Sequence, residues 1–151
     1  MGKLLSEVDR AYLSGFLDGD GAIMALIERH KEKRFGFRVR VELKITQCHQ
    51  SDVVWLVELT GVGRIVKNLN TYEWIVRTQR EIAVLLRQLQ PYVRVKREQI
   101  VLALQILDRP IRSRLDLIDI AQLADALSKL NVRSKCRRRN YAAMIQESML
   151  P

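Results

Sequence analysis

Asp18 and Asp20 close the stretch LSGFLDGDG at residues 13–21, in which Gly15 and Gly19 stand four residues apart. Small side chains at that spacing clear one face of a helix, so a second helix backbone can approach closely. A carboxylate at a helix C-terminus faces the negative pole of the macrodipole, which costs about 0.3–1 kcal/mol. A bound cation reverses that sign. The stretch therefore predicts two helices pressed together, delivering acids to a cation-dependent site. Taken alone, it also fits an ordinary helix ending in an Asp-Gly turn, with Gly21 as its cap.

The chain of 151 residues carries 26 Lys and Arg against 17 Asp and Glu, a net charge of +9. That balance favours a polyanionic partner, nucleic acid before an anionic membrane surface. Arg outnumbers Lys by 18 to 8, which suits bidentate contacts to guanine and phosphate but also follows from base composition alone. Hydrolysis of a phosphodiester needs a nucleophilic water, a Lewis acid on the non-bridging oxygen and stabilisation of the leaving oxygen. Asp20 is the candidate metal-binding acid for that chemistry. One carboxylate holds Mg²⁺ poorly, whereas two copies joined through the Gly15–Gly19 face bring two Asp20 side chains together. Backbone carbonyls such as that of Gly19, with DNA phosphates, then complete a hard-oxygen shell, in which Ca²⁺ or Mn²⁺ could stand for Mg²⁺. The face expected to meet the second copy comprises Tyr12, Gly15, Phe16, Asp18 and Gly19.

The same nine residues resemble the LAGLIDADG signature of homing endonucleases. Ser14 replaces Ala, Phe16 and Leu17 fill apolar slots, and Gly19 replaces Ala. The motif occurs once, as in the single-motif, homodimeric branch of that family. The resemblance implies an α+β fold: an αββαββα core with a four-stranded, antiparallel, saddle-shaped sheet, plus C-terminal helices. It implies Asp20 as metal ligand and Asp18 as the acid that fixes the helix end. Gln47, in Ile45-Thr46-Gln47, stands where the family places a water-orienting Gln. Lys96, in the segment LQPYVRVK at 89–96, resembles the family's catalytic-pocket lysine, which polarises the water network or stabilises phosphate charge. Read without the resemblance, Gln47 and Lys96 are ordinary surface residues. Related homodimers often carry a basic residue four positions after the Gln. Here that position is Ser51, and His49, Arg94 or Arg97 are the candidates to substitute.

The implied activity is Mg²⁺-dependent, site-specific cleavage of double-stranded DNA. A homodimer would cut both strands across the minor groove of a long pseudo-palindromic site and leave short 3′ overhangs. A free-standing intron-encoded protein fits better than an intein, because 151 residues leave no room for splicing domains. Two other readings stand beside it: an intron RNA maturase, and a DNA-binding regulator that does not cleave. Asp20, Gln47 and Lys96 together argue against the last.

The elements that must position these residues follow from the pattern. Ser6-Glu7-Val8-Asp9 reads as a capping-box variant opening a helix from Glu7 to Asp18. Ala22–Arg29 reads as a strand and residues 30–34 as a turn. Phe35–Thr46 is a strand in which Phe37, Val39, Val41, Leu43 and Ile45 alternate with Arg38, Arg40, Glu42, Lys44 and Thr46, one face buried and one wet. Ser51 is expected to cap a helix over Asp52–Thr60. Strands over Arg64–Leu69 and Tyr72–Thr78 follow, then helices over Gln79–Gln90, Lys96–Leu107, Asp116–Leu130 and Asn140–Leu150. The chain reads as one endonuclease domain over 1–151, with its core over 1–90 and C-terminal helices and a basic loop over 91–151.

Helices on one face leave the other sheet face open, and an antiparallel ribbon fits the DNA major groove. The expected reading positions are Met24, Leu26, Glu28, His30, Lys33, Arg38, Arg40, Glu42, Lys44 and Thr46 on the first hairpin. Arg64, Val66, Asn68, Glu73, Ile75 and Arg77 follow on the second. Met24 and Leu26 are apolar on an open face, which calls for a partner. The basic run RSKCRRR at 133–139, with Arg133, Lys135, Arg137, Arg138 and Arg139, reads as a salt-sensitive phosphate clamp. Cys48 and Cys136 are too few and too far apart for a zinc site or a disulfide framework. Residues 1–9 do not form a signal peptide, and the longest apolar stretch, Ile100 to Leu107, is too short to span a bilayer. An intracellular location follows as the expectation, with no membrane partner and with organellar, archaeal and bacterial origins all open.

Overall fold

A computed structural model describes residues 2–131 and 140–151. The order is α1 (Glu7–Asp20), β1 (Gly21–Arg29), β2 (Phe37–Gln47), α2 (Ser51–Thr60), β3 (Arg64–Asn68), β4 (Thr71–Val76), α3 (Gln79–Leu89), α4 (Arg97–Asp108), α5 (Arg114–Asn131) and α6 (Tyr141–Ser148). The four strands form one antiparallel sheet in the order β1-β2-β4-β3. The expected αββαββα order and the later helices are thus present, with shifts at several element ends.

Ser6 opens α1 by accepting from the backbone N–H of Asp9 at 3.1 Å, and its hydroxyl donates to the Asp9 carboxylate at 2.7 Å. Leu13, Ser14 and Leu17 are the buried residues of the helix. Ser14 fits there because its hydroxyl donates to the Leu89 carbonyl at 3.2 Å. The helix runs two residues past the expected end at Asp18, and β1 begins with no connecting loop. Gly21 makes this junction possible through room rather than through a left-handed backbone. Its φ is −90°, and its N–H closes on the Leu17 carbonyl. A Cβ there would fall 2.3 Å from Leu17 Cδ1 and 2.7 Å from the Leu17 carbonyl oxygen.

The register from Gly21↔Ile45 to Arg29↔Phe37 turns Ile23, Ala25 and Ile27 to the same face as Val41, Leu43 and Ile45. Trp74 and Val76 of β4 join that face through the pairs Ile45↔Trp74 and Leu43↔Val76. All of these are buried in one core that also takes in Leu13 and Leu17 of α1, Leu86 and Leu89 of α3, and Ile120 and Leu127 of α5. Trp74 is accommodated because its indole N–H donates to the Val62 carbonyl at 3.0 Å. Beyond the end of β4, the edge of β2 is met by a side chain. Gln79 accepts from Val41 N at 2.7 Å and donates to the Val41 carbonyl at 2.8 Å, in the manner of a strand residue.

Two expectations about these elements change. Ser51 does not cap α2. Gln50 takes the cap position in a helical conformation without a side-chain bond, and the chain enters through Asp52 N→His49 O and Val53 N→Gln50 O, each 3.1 Å. The outer sheet face is also not uniformly wet. Glu42, Glu73 and Ile75 are only 6, 8 and 4% exposed, with Arg77 paired to Glu42 and Lys44 to Glu73. The basic run at 133–139 falls outside the described residues. The helices on either side of it are tied down: Asn131 donates to the Ile23 carbonyl, and Asp125 accepts from the first two backbone N–H groups of α6.

Candidate active site and nucleic-acid interface

Asp20 is the last residue of α1 and is exposed. Since Gly21 pairs with Ile45, the register delivers Gln47 to the same end of the sheet. Gln47 Nε2 donates to Asp20 Oδ2 at 2.8 Å. One oxygen of the carboxylate is thereby fixed, and the amide oxygen of Gln47 stands beside it as a further acceptor.

Lys96 reaches the same helix end from the other side, on the segment between α3 and α4. Asp18 anchors that segment, accepting from Arg94 N at 2.8 Å and from Lys96 N at 2.9 Å. The Lys96 ammonium donates to the Asp18 carbonyl at 2.9 Å. That carbonyl belongs to the last turn, whose oxygens the helix itself leaves unpaired. The ammonium also sets a positive charge at the negative pole of α1, where the helix has no basic residue of its own. Partial burial pushes the Asp18 carboxyl up. The backbone N–H groups of Arg94, Lys96 and Val95, with the Lys96 charge, outweigh it and hold the group below its ordinary value. Asp20–Gln47 and Asp18–Lys96 are thus two adjacent pairs on one helix end; Lys96 bonds to Asp18, not to Asp20.

A hard cation fits this donor set only in part. Asp20 offers an accessible carboxylate, but the described residues include no group of three or more His, Cys, Asp or Glu able to hold a metal ion. A single chain therefore contributes one acid and, through the exposed Gly19, a carbonyl; further oxygens must come from elsewhere. Glycines 15 and 19 lie on the exposed side of α1, where an added Cβ would meet nothing within 4 Å. Val8 and Tyr12 continue the stripe, Tyr12 being 59% exposed. The Tyr12 ring lies 6.4 Å from Phe16 and 5.6 Å from Trp55, and Phe16 lies 5.9 Å from Trp55. Trp55 is the member of this aromatic cluster that sequence reasoning missed; a lone Trp on a short helix was its only signal. Arg94 and Arg97 line an open groove with Gly15 and Asp18, along α1 rather than beside Gln47. His49 is exposed two residues from Gln47.

On the sheet, Met24, Leu26, Glu28, Arg38, Arg40, Lys44, Thr46, Arg64, Val66 and Asn68 share the outer face by register, as do the more buried Glu42, Glu73 and Ile75. His30 follows β1. Lys33 sits in the hairpin turn, where its N–H bonds to the His30 carbonyl. Arg77 lies just beyond β4. What sequence left unseen is how these charges combine. Glu28 pairs with Arg38 and Arg40, Glu73 with Lys44, and Glu42 with Arg77 at 2.6 Å.

A four-stranded antiparallel sheet with one face buried under helices, joined without a loop to a helix that ends in an exposed acid, defines an α+β class of fold. The family model "LAGLIDADG endonuclease" matches residues 13–107, and the chain belongs to that family. It is 31% identical over 102 residues to the DNA endonuclease I-CreI of Chlamydomonas reinhardtii, a match covering 65% of this chain and 61% of that protein. It is also 31% identical over 125 residues to the DNA endonuclease I-CvuI of Chlorella vulgaris, covering 80% of this chain and 78% of the relative. The fold superposes on a crystal structure of I-CvuI in complex with the I-CreI target, with Mg present and the DNA not cleaved. There the TM-score is 0.85 and the identity 29%, over 93% of this chain and 92% of the other. An archaeal intron-encoded endonuclease, I-Vdi141I, solved with DNA, shares the fold at a TM-score of 0.80 and 20% identity, over 93% of this chain and 96% of that one. No helix among the described residues is long and apolar enough to cross a membrane.

Proposed function

We propose that this chain is a homodimeric, divalent-metal-dependent, site-specific endonuclease acting on double-stranded DNA, with Mg²⁺ as its metal. The observation that carries the reading is the bond from Gln47 to Asp20 at the exposed end of α1, beside a helix face on which no described residue comes within 4 Å of an added Cβ at Gly15 or Gly19. A second copy packed on the Val8–Tyr12–Gly15–Gly19 stripe adds a second Asp20 and the oxygens a hard cation needs. When bound, the cation supplies Lewis acidity on the phosphate and lowers the pKa of water. Gln47 holds the Asp20 carboxylate in orientation and offers its amide oxygen to a water proton. Lys96, fixed by Asp18, places positive charge where charge accumulates on the phosphate. The outer sheet face lies along the major groove, with Arg38, Arg40, Arg64 and Asn68 as base-reading side chains. The relatives named above are DNA endonucleases, and two of them were solved with DNA. The decisive experiment is selection of cleaved products from a randomised duplex library, with Mg²⁺ and with EDTA. Recovery of one pseudo-palindromic sequence only with Mg²⁺ is expected. No cleaved product under either condition overturns the reading.

A further inference from the structure

One carboxylate on the sheet face holds two guanidinium groups. Glu28 on β1 lies opposite Arg38 on β2, and Arg40 is two residues further along β2, opposite Leu26. Arg38 Nη2 donates to Glu28 Oε2 at 2.7 Å, and Arg40 Nη2 donates to Glu28 Oε1 at 2.8 Å. All three side chains are partly exposed. The Nε atoms of both arginines are buried and lack a hydrogen-bond partner. A buried donor left unpaired carries a free-energy cost that an acceptor removes. The arrangement is therefore stable as an ion-paired unit but incomplete in hydrogen bonding, and rotation of either guanidinium toward an outside acceptor would complete it.

The surroundings sharpen the point. The outer face carries the acids Glu28, Glu42 and Glu73, and each is ion-paired to a cation of the same face. Four of the five arginines and lysines of this face, Arg38, Arg40, Lys44 and Arg77, are thereby held by carboxylates, which leaves Arg64 as the cation outside these pairs. Phosphates attract any cation regardless of sequence. A cation already held by a carboxylate exchanges that bond for a phosphate with little gain, and leaves a carboxylate facing a polyanion. A base edge is different: guanine offers O6 and N7 to an arginine fork, and its partner cytosine offers an N4 amino donor to a carboxylate.

We propose, on the basis of the DNA-binding reading above, that Glu28 is a positioning and specificity-determining residue. It withholds Arg38 and Arg40 from phosphates and releases one of them to guanine while its own freed oxygen takes the paired cytosine, selecting a G·C pair in each half-site.

The test uses the full chain and two probes: a fixed non-target duplex, and a randomised duplex library from which bound sequences are selected. The variants are Glu28→Gln and Glu28→Ser, each checked by thermal melting, and the double variant Arg38→Ala/Arg40→Ala. Both Glu28 variants should bind the non-target duplex about tenfold more tightly, with a salt slope steeper by about one to two phosphate contacts. Both should lose the G·C preference at one position per half-site. A merely structural role for Glu28 would lower the melting temperature without moving salt slope or base preference, and that result overturns the inference. If the double arginine variant selects the same sequences with the same affinity as the natural chain, Arg38 and Arg40 do not read bases and the inference falls; if the natural chain itself selects no sequence, the DNA-reading proposal falls with it. If only the arginine variant changes the selection, Glu28 alone is excluded.

Discussion

Gln47 Nε2 and Asp20 Oδ2 are 2.8 Å apart although 27 residues separate them in the chain. The contact follows from a helix that passes into β1 without a loop and from the pairing of Gly21 with Ile45. It gives each residue a separable role. Asp20→Asn keeps the shape and a polar partner for Gln47 but removes the charge that draws a cation. Cleavage should fall by at least about 10²-fold, the range seen when one preorganised electrostatic group is lost. Duplex binding and melting temperature should stay nearly unchanged. Gln47→Ala should also slow cleavage while retaining metal-dependent binding. Single-turnover cleavage, binding and thermal melting, measured side by side, check the assignment; wild-type cleavage by Asp20→Asn removes Asp20 from the site.

Asp18 ties stability to acid. Its carboxyl is held below the ordinary 3.8 by the backbone N–H groups of Arg94, Lys96 and Val95 and by the Lys96 ammonium, which together outweigh its partial burial. A group with a depressed folded pKa stabilises fully above its unfolded value, and that contribution is lost as pH falls through the folded one. Denaturation midpoints should therefore drop as pH is lowered below about 4, where the unfolded carboxyl begins to bind protons. Asp18→Asn should flatten that part of the profile and, at neutral pH, cost about 1 kcal/mol for weakened hydrogen bonds. A profile for Asp18→Asn that keeps the natural slope would show that the anchor lies elsewhere.

The sequence made some of this legible and hid the rest for physical reasons. Strict alternation over Phe37 to Thr46 revealed both faces of β2, because period two leaves no other assignment when one face is apolar. It could not reveal that Glu42 and Glu73 lie buried on the outer face. Their burial depends on Arg77 and Lys44 folding across them from other positions, which a single strand's pattern does not encode. Ser51 has the side chain of a cap, but the preceding His49 and Gln50 already adopt a turn that makes a cap unnecessary. Asp and Gly favour termination, so the pattern ends the helix at Asp18, whereas the close contact of Gly21 on Leu17 lets α1 run to Asp20. Gln79 carried no sequence signal for its role, since nothing local marks a side chain that will pair with a strand edge.

The β3–β4 turn holds an unusual residue. Leu69 has φ +53° and is 88% exposed. Non-glycine residues in the left-handed region cost roughly 1–2 kcal/mol, and this leucine gains no burial in return. Asn tolerates that conformation through local hydrogen bonding. Leu69→Asn should raise stability by about 0.5–1 kcal/mol, read as a shifted urea midpoint with unchanged slope. A lower midpoint would show that the leucine makes a stabilising contact that its exposure conceals.

Gly15 separates folding from assembly. A glycine inside a helix destabilises it by about 1 kcal/mol relative to Ala, and a Cβ at Gly15 meets nothing within 4 Å. Nothing among the described residues, then, requires glycine there, whereas the proposed close approach of a second helix would. Gly15→Leu should leave the helical circular-dichroism signal of the chain intact. It should also convert a dimer to a monomer in sedimentation and abolish cleavage. Tyr12, Phe16 and Trp55, clustered on the same side, would remain exposed, and their fluorescence should report a wetter environment in the variant. A Gly15→Leu protein that sediments as a dimer and cleaves DNA would place the contact between copies on another face. The second Asp20 that a cation needs would then have to arrive by a different route.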